Sequence, residues 1–443
     1  MRIICQAVTI WYFCYNKVML DIKFIRENAD LVKDAIRKKH ITLDLDELLK
    51  IDAERLEILG KVEAARARQN VVSQEIVKAT SETRAKLIAE MTQLKTDFKA
   101  NEDNLAKVMK QWQTFMLQVP NLPDISVPEG VDEKENKEVQ VWGDKPKFDF
   151  QPKDHLELML QLKMVDFERG TKTHGFRGYF LTGDGAELSW ALINCARDFF
   201  GQKNFRPVIA PAIVKKEYFY GTGHLPREAD DLYKTQDDDY LSGTAEVPMM
   251  AYHADEILAV GELPKRYLAF SPCYRREAGS HGKDTKGLIR VHEFFKLEQL
   301  VLCRADHAES AAIHEEINRN YEEFLELLKL PYHRLLICGG DLSLSKVKQY
   351  DTEIWFPSQG TYREGSSASY YHDFQTRRFN IRYRDQDGKS RFAHSLNCTA
   401  VATPRLLAAL VENYQQADGS ITIPETLRPY LGEREVIGHG LSS

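Results

Sequence analysis

The 443-residue chain has no apolar run near the ~20 residues a membrane-spanning helix needs. It also has no Cys-x-x-Cys pair. Its seven cysteines are scattered at 5, 14, 195, 273, 303, 338 and 398, which argues against a zinc ribbon or a disulfide framework and fits a reducing, cytoplasmic setting. No glycine-rich dinucleotide fingerprint opens a helix, so a Rossmann domain is not expected. Nor is there an excess of positive charge: 60 Lys and Arg stand against 66 Asp and Glu, a formal −6, and any nucleic-acid binding must be local. Proline is missing from Leu45 to Val119 and glycine nearly so, and that absence leaves little but long helices for the stretch.

What is present fits two or three domains with full-sized cores, since 43% of residues are hydrophobic. In the proline-free stretch, Leu87, Met91, Leu94, Phe98, Asn101, Leu105, Val108, Trp112, Phe115 and Val119 alternate four and three apart. This is a heptad seam with one polar interruption. A rougher seam runs through Leu45, Leu49, Leu56, Leu59, Val62, Val72 and Ile76, and Thr80-Ser81-Glu82 offers a turn at which Ser81 would cap the returning helix. The two halves predict an antiparallel hairpin of roughly 30 residues each way, on the order of 45 Å long. Ten basic and seven acidic residues between Lys61 and Lys110 give it a local +3. That charge fits phosphate contacts, and it equally fits a solvated mixed-charge face. Pro120 ends the arm, and 121–152, with Pro128, Gly130, Gly143, Pro146 and an acidic run from Asp132, reads as linker. A globular region follows, with a helix near 186–200 and a strand over 205–214.

Near the centre of that region, the aliphatic and aromatic segments 266–270 and 294–302 flank a charged loop loosened by Gly279, Gly282 and Gly287, and predict a hairpin of two antiparallel strands. Arg275 and Glu277 are two apart and share a face, with Arg290 on the return. Guanidinium groups around a carboxylate suit a phosphate-bearing ligand; a salt-bridged edge hairpin is the plainer reading. Thr244 and Glu246, also two apart, put a hydroxyl and an anion together.

Arg275-x-Glu277, a loop, then Arg290-x-x-x-Phe294 resembles motif 2 of the class II aminoacyl-tRNA synthetases, and the string from Arg275 to Arg290 resembles the seryl-tRNA synthetases in particular. The likeness runs from Met19 to about Gly432. It implies an α+β fold, an antiparallel sheet flanked by helices and preceded by the coiled-coil arm. The expected divisions are an extension over 1–18, a tRNA-binding domain over 19–120, the linker, a catalytic domain over 153–432 and a tail over 433–443. Met19-Leu-Asp-Ile resembles the usual start of bacterial-type members, so the apolar 1–18 reads as an extension and not a signal peptide, for which it lacks a cleavage site. The helix and strand ending at Pro211 resemble motif 1, the dimer-forming element.

The resemblance further implies ATP-dependent activation of L-serine and its transfer to serine tRNA, whose long variable arm the coiled coil would hold; whether selenocysteine tRNA is charged stays open. It assigns Thr244, Glu246, Glu298, Asn397 and Thr399 to serine. To ATP it assigns Arg275, Arg276, Glu277, Arg290, Val291, Phe294, Glu364, Gly365, Ser366, Ser367 and Arg405, with Arg275 and Arg405 catalytic and Phe294 under adenine. Glu364 and Ser367 are the expected Mg2+ ligands, oxygen donors that suit this ion. Thr403 as N-cap and Pro404 as first helical residue put Arg405 in the first turn of the motif 3 helix. Two departures stand out: Ala368-Ser-Tyr-Tyr371 replaces the usual Cys-Ser-Asn-Cys, and Cys398, Ala400 and Pro404 replace glycines; Pro404 suits the helix start, whereas Cys398 and Ala400 threaten to crowd the pocket floor. Two rivals remain, a ligase that charges a carrier protein, against which the arm counts, and a non-catalytic RNA-binding paralogue, against which the retained Arg and Glu residues count.

Overall fold

A computed structural model describes residues 20–279 and 286–438. The 1–18 extension, Gly282 in the hairpin loop and the last five residues lie outside the described residues. The chain divides into two compact units, one ending at Pro120 and one beginning at Asn121.

The first unit is helical: α1 (Ile22–Glu27), α2 (Ala29–Lys38), α3 (Leu45–Lys78) and α4 (Ser81–Met116). Asp44 caps α3 by accepting the Glu47 amide at 2.9 Å. With 34 and 36 residues, α3 and α4 exceed the expected length, each about 50 Å, because nothing in the sequence interrupts them. They pack against each other as the predicted hairpin. On α4 the seam is as read: Leu87, Met91, Leu94, Phe98 and Asn101 are half-buried amid exposed neighbours, and Leu105, Val108 and Trp112 are buried. On α3 the reading needs correction. Leu56 is 40% exposed, and the seam passes through Asp52 and Arg55, both buried and joined by an Nη2–Oδ1 bond of 2.7 Å, with Arg55 stacked 5.0 Å from the Trp112 ring. An apolar-only pattern search skips such an ion pair. The turn is also shifted by one residue: Thr80, not Ser81, is the N-cap, and its side chain makes no capping bond to the helix backbone.

The second unit is built on an eight-stranded sheet. In chain order the strands are β1 (Lys137–Trp142), β2 (Arg206–Ile209), β3 (Lys265–Tyr274), β4 (Glu293–Cys303), β5 (Tyr332–Leu336), β6 (Lys348–Phe356), β7 (Thr361–Tyr370) and β8 (His394–Ala402). Their spatial order is β1-β5-β6-β7-β8-β4-β3-β2, antiparallel throughout except that β2 runs parallel to β3. This is the expected α+β architecture. Helices α5 (Asp184–Gly201), α7 (His307–Leu327) and α8 (Thr403–Asn413) pack on the sheet, with a shorter helix α6 (Glu246–Tyr252) between them in sequence. The shared core takes Leu188, Leu192, Phe200, Leu297, Val301, Ile317, Phe324, Ile354, Leu396 and Leu407.

Two expected boundaries change. The 121–152 stretch is no free linker: β1 lies in it, and buried Asn121 donates to the carbonyls of Ser345 and Tyr371 at 3.0 and 2.6 Å. The Pro and Gly residues that suggested a linker belong to packed chain flanking this edge strand: the Pro128 and Gly130 carbonyls accept the Gly339 and Gly340 amides at 3.0 and 2.9 Å. Similarly, Val436–Ile437 in the expected tail pairs with Ile421–Thr422, and Ile437 is buried.

Candidate active site

The charged hairpin forms as two long strands in register from Glu293↔Tyr274 to Leu302↔Lys265. On β4, residues Phe294, Lys296 and Glu298 alternate onto one face and line a cavity of about 420 Å³. Across from them β8 contributes Asn397, Thr399 and Ala402, and β7 contributes Glu364, Gly365 and Ser367.

Glu364 and Ser367 are three apart, a spacing that a regular strand would send to opposite faces. A bulge resolves this: the register with β6 shifts between Thr352↔Ser366 and Glu353↔Glu364, leaving Gly365 as the extra residue and turning both side chains to the cavity. Glycine is required there, since a Cβ would stand 2.3 Å from the Tyr321 hydroxyl. A second bulge on β8, between Thr399 and Val401, brings Ala402, then Pro404 and Arg405, to the same wall.

At one end the charges are those a polyphosphate needs. Arg275 follows β3 directly; its Nη2 donates to the Gly243 carbonyl at 3.4 Å and its guanidinium lies 5.4 Å from the Phe294 ring centroid. Glu277 sits at φ 53° and receives Arg290 Nη1 at 3.0 Å, so this glutamate orients an arginine. Arg405 Nη1 donates to the Glu364 carbonyl oxygen and lies 3.3 Å from its carboxylate. The Glu364 side chain, 48% exposed, looks into the open cavity; desolvation by its surroundings alone would raise its pKa, but Arg405, Arg275, Lys346 and Lys296 together hold it below the usual carboxylate range. Asp351, opposite Ser367 in the register, goes the other way: burial and the Glu364 charge push it up to about 7.

The other end is polar and closed. Thr244, Glu246, Glu298, Asn397 and Thr399 are all buried cavity residues. Glu246 accepts from Gln375, whose own oxygen accepts from Ser395 Oγ at 2.7 Å, and Glu298 is paired with Lys296. Burial raises the Glu298 pKa, and the Lys296 charge opposes the rise. Glu246 opens a helix rather than continuing a strand, yet Thr244 and Glu246 still share the cavity, with Thr244 Oγ1 accepting the Glu246 amide at 3.3 Å.

Of the residues read from sequence, Arg276 and Ser366 are not on the wall. Arg276 is exposed, and Ser366 Oγ turns inward to the Thr399 carbonyl at 2.7 Å. Both are sequence neighbours of wall residues; simple alternation from Glu364 would have kept Ser366 on the wall, and only the bulge at Gly365 turns it inward. Thr403 does not cap α8: Ala402 is the N-cap, Pro404 is the second helical residue, and the Thr403 hydroxyl donates to the Phe295 carbonyl at 3.1 Å. Arg405 is still in the first turn. The suspected crowding does not occur, because Cys398 and Ala400 are fully buried in the core, off the cavity wall. Sequence reasoning missed Asp351, Lys346, Lys296, Gln375 and the cavity-facing role of Tyr371. It missed as well the His155–Glu412 pair, 2.8 Å apart, whose imidazole Nε2 receives the Leu288 amide at the cavity rim.

Residues 19–123 match the seryl-tRNA synthetase N-terminal domain, and residues 232–414 match the tRNA synthetase class II core domain (G, H, P, S and T). The chain is 45% identical over 421 residues to a serine–tRNA ligase of Deinococcus radiodurans, covering 95% of this chain and 99% of that one. It belongs to the serine–tRNA ligase family. A second member, from Thermodesulfovibrio yellowstonii, is also 45% identical, over 94% and 99% of the two chains. Among solved structures, a Pyrococcus horikoshii seryl-tRNA synthetase complexed with ATP superposes with a TM-score of 0.87 at 38% identity, covering 95% of this chain and 99% of that one. Family membership therefore extends over both units, arm and sheet alike.

Proposed function

We propose that this serine–tRNA ligase activates L-serine with ATP in the cavity between β4, β7 and β8 and then passes the seryl group to serine tRNA. The observation that carries the reading is that a single cavity has guanidinium groups and an acid–hydroxyl cluster at one end and a closed set of hydrogen-bonding groups at the other. In the first step the serine carboxylate attacks the α-phosphorus of ATP, forming a C(=O)–O–P bond as the bond to the β-phosphate breaks and pyrophosphate leaves. No base is required, because the nucleophile is already an anion. The protein contributes orientation and charge neutralisation. Arg275 serves the α-phosphate, Arg405 the far phosphates, and Phe294 the adenine face. In the second step a terminal ribose hydroxyl of the tRNA takes the seryl group and AMP leaves.

At the serine end, Glu298 and Thr399 receive the substrate hydroxyl, while Thr244, Glu246 and Asn397 address its backbone groups. A site built of buried polar groups rejects alanine strongly, since those groups would be left unpaired. Glu364 and Ser367, joined by Asp351, form a hard-oxygen donor set that fits Mg2+, which takes few protein ligands and completes its shell with water and phosphate. When bound, Mg2+ would supply charge neutralisation to the phosphates. The arm α3–α4 holds the tRNA, the enzyme acts as a homodimer, and its setting is the cytoplasm; among the described residues no helix is long and apolar enough to cross a membrane.

Serine-dependent exchange of labelled pyrophosphate into ATP tests the reading. Exchange with serine, its loss by at least 100-fold in Arg405→Ala, and weak exchange with alanine are expected. No exchange with serine, or equal exchange with threonine, would overturn it.

A further inference from the structure

The departure at Ala368–Tyr371 leaves one feature that the activation chemistry does not use. Tyr371, which follows β7, is 2% exposed and lines the cavity. Its hydroxyl exchanges hydrogen bonds with the Asn397 side chain, receiving Nδ2 at 3.1 Å and lying 3.3 Å from Oδ1. The ring has little room to swing away, because it is almost fully buried and its hydroxyl is held by Asn397, and its backbone is fixed on both sides. The Tyr371 amide donates to the Ser395 carbonyl at 3.1 Å, and its carbonyl accepts from buried Asn121 at 2.6 Å. Burial and the nearby Glu246 and Glu298 charges keep the phenol neutral, so the group is a fixed, uncharged wall in the acidic end of the cavity.

Resting on the proposed serine site, we propose that Tyr371 is a specificity-determining residue whose ring closes the floor of the amino-acid pocket against the methyl group of threonine and whose hydroxyl positions Asn397. The physical need is plain. Hydrogen-bonding groups that accept the serine hydroxyl accept the threonine hydroxyl equally well, so Glu298 and Thr399 reject alanine and not threonine. Only volume can exclude the extra methyl. Tyr371 supplies a large, immobile volume beside the serine-facing Asn397, in a core where side chains are close-packed and yield little.

The test compares kcat/KM for serine and for threonine in pyrophosphate exchange, in the full-length enzyme and its Tyr371→Phe, Tyr371→Met and Tyr371→Leu variants. Truncation to Met or Leu opens the floor and is expected to shift the serine-to-threonine ratio toward threonine by at least tenfold, the size of effect a methyl-sized gap carries. Tyr371→Phe keeps the volume, so its ratio stays within about threefold of wild type. Its serine KM rises several-fold at near-constant kcat, as Asn397 loses its partner. A general loss of fold would lower both amino-acid rates together, and the ratio is insensitive to it. A wild-type ratio in whichever of the Met and Leu variants folds, or a Phe variant as permissive as the truncations, overturns the proposal. Absence of serine-dependent exchange in the wild-type enzyme would instead overturn the parent reading.

Discussion

At the scale of single residues, the site is a set of opposed charges, and Asp351 shows what that arrangement costs the fold. Its carboxyl is pushed up to about 7 by burial first and by Glu364 second. The unfolded value is ordinary, near 4, so the folded protein binds the extra proton between about pH 4 and 7. Asp351 therefore favours the folded state at low pH, and that contribution is lost as pH rises through its folded value. The Asp351→Asn variant of the unliganded enzyme should melt at the same temperature as wild type at pH 4.5 and higher by about 2–4 °C at pH 8.5. Thermal scans across that range check it, and a gain independent of pH would contradict the assignment. The same residue shows where sequence reading ends. Arg275 was legible in a charged string of its own, and Glu298, Glu364 and Arg405 through local strings that resemble the family's. Asp351 becomes a site residue only through its register opposite Ser367, a relation between two strands that no local pattern encodes. Lys346 and Tyr371 escaped for a related reason: what places each of them on the cavity is the packing of β6, β7 and β8, not a neighbour in sequence.

At the scale of elements, periodicity was the reliable guide and composition the unreliable one. The α4 seam could be read residue by residue because its apolar positions recur without a break. On α3 the buried Asp52–Arg55 pair interrupts the pattern, and Leu56, apolar but outward, was mistaken for a seam residue. The turn-rich stretch before residue 152 had the composition of a linker yet carries β1, since edge strands are short and tolerate such sequence around them. Along the arm, Arg68 bonds Glu90 and Gln69 bonds the Leu94 carbonyl, so the two helices are cross-linked well toward the tip by polar contacts as well as by the seam. Those contacts are worth only tenths of a kcal/mol each. Together with a half-buried seam they make the outer arm the least apolar packing in its unit. Replacing residues 61–110 by a short turn is expected to leave serine-dependent pyrophosphate exchange within twofold of wild type while abolishing charging of tRNA. Loss of both activities would make the arm a structural part of the catalytic unit, and retention of both would remove it from tRNA binding.

At the scale of the whole molecule, the sheet has an unfinished end. The outermost strand, β2, pairs with β3 along one edge only, and around it stand apolar side chains that a solvated surface does not favour. Ile209 is 84% exposed, Ile213 61% and Trp190, on the neighbouring helix α5, 53%. Trp190 stacks toward Phe295 at 6.2 Å, and Phe295 toward Phe270 at 5.6 Å, so the patch continues from α5 onto β4 and β3. A contiguous apolar surface on a strand edge either aggregates or is covered by a partner. The proposed homodimer would cover it with a second copy, and because β3 leads directly into Arg275, that interface would also brace the phosphate end of the cavity. Ile209→Asp puts a charge where the partner would pack, at a position exposed enough within one chain to leave its own core intact. Light scattering should then give 51.0 kDa where wild type gives twice that, and exchange activity should fall at least tenfold with the melting profile of the isolated chain retained. A variant that remains dimeric would move the interface elsewhere, and a fully active monomer would show that each chain carries a complete site without its partner.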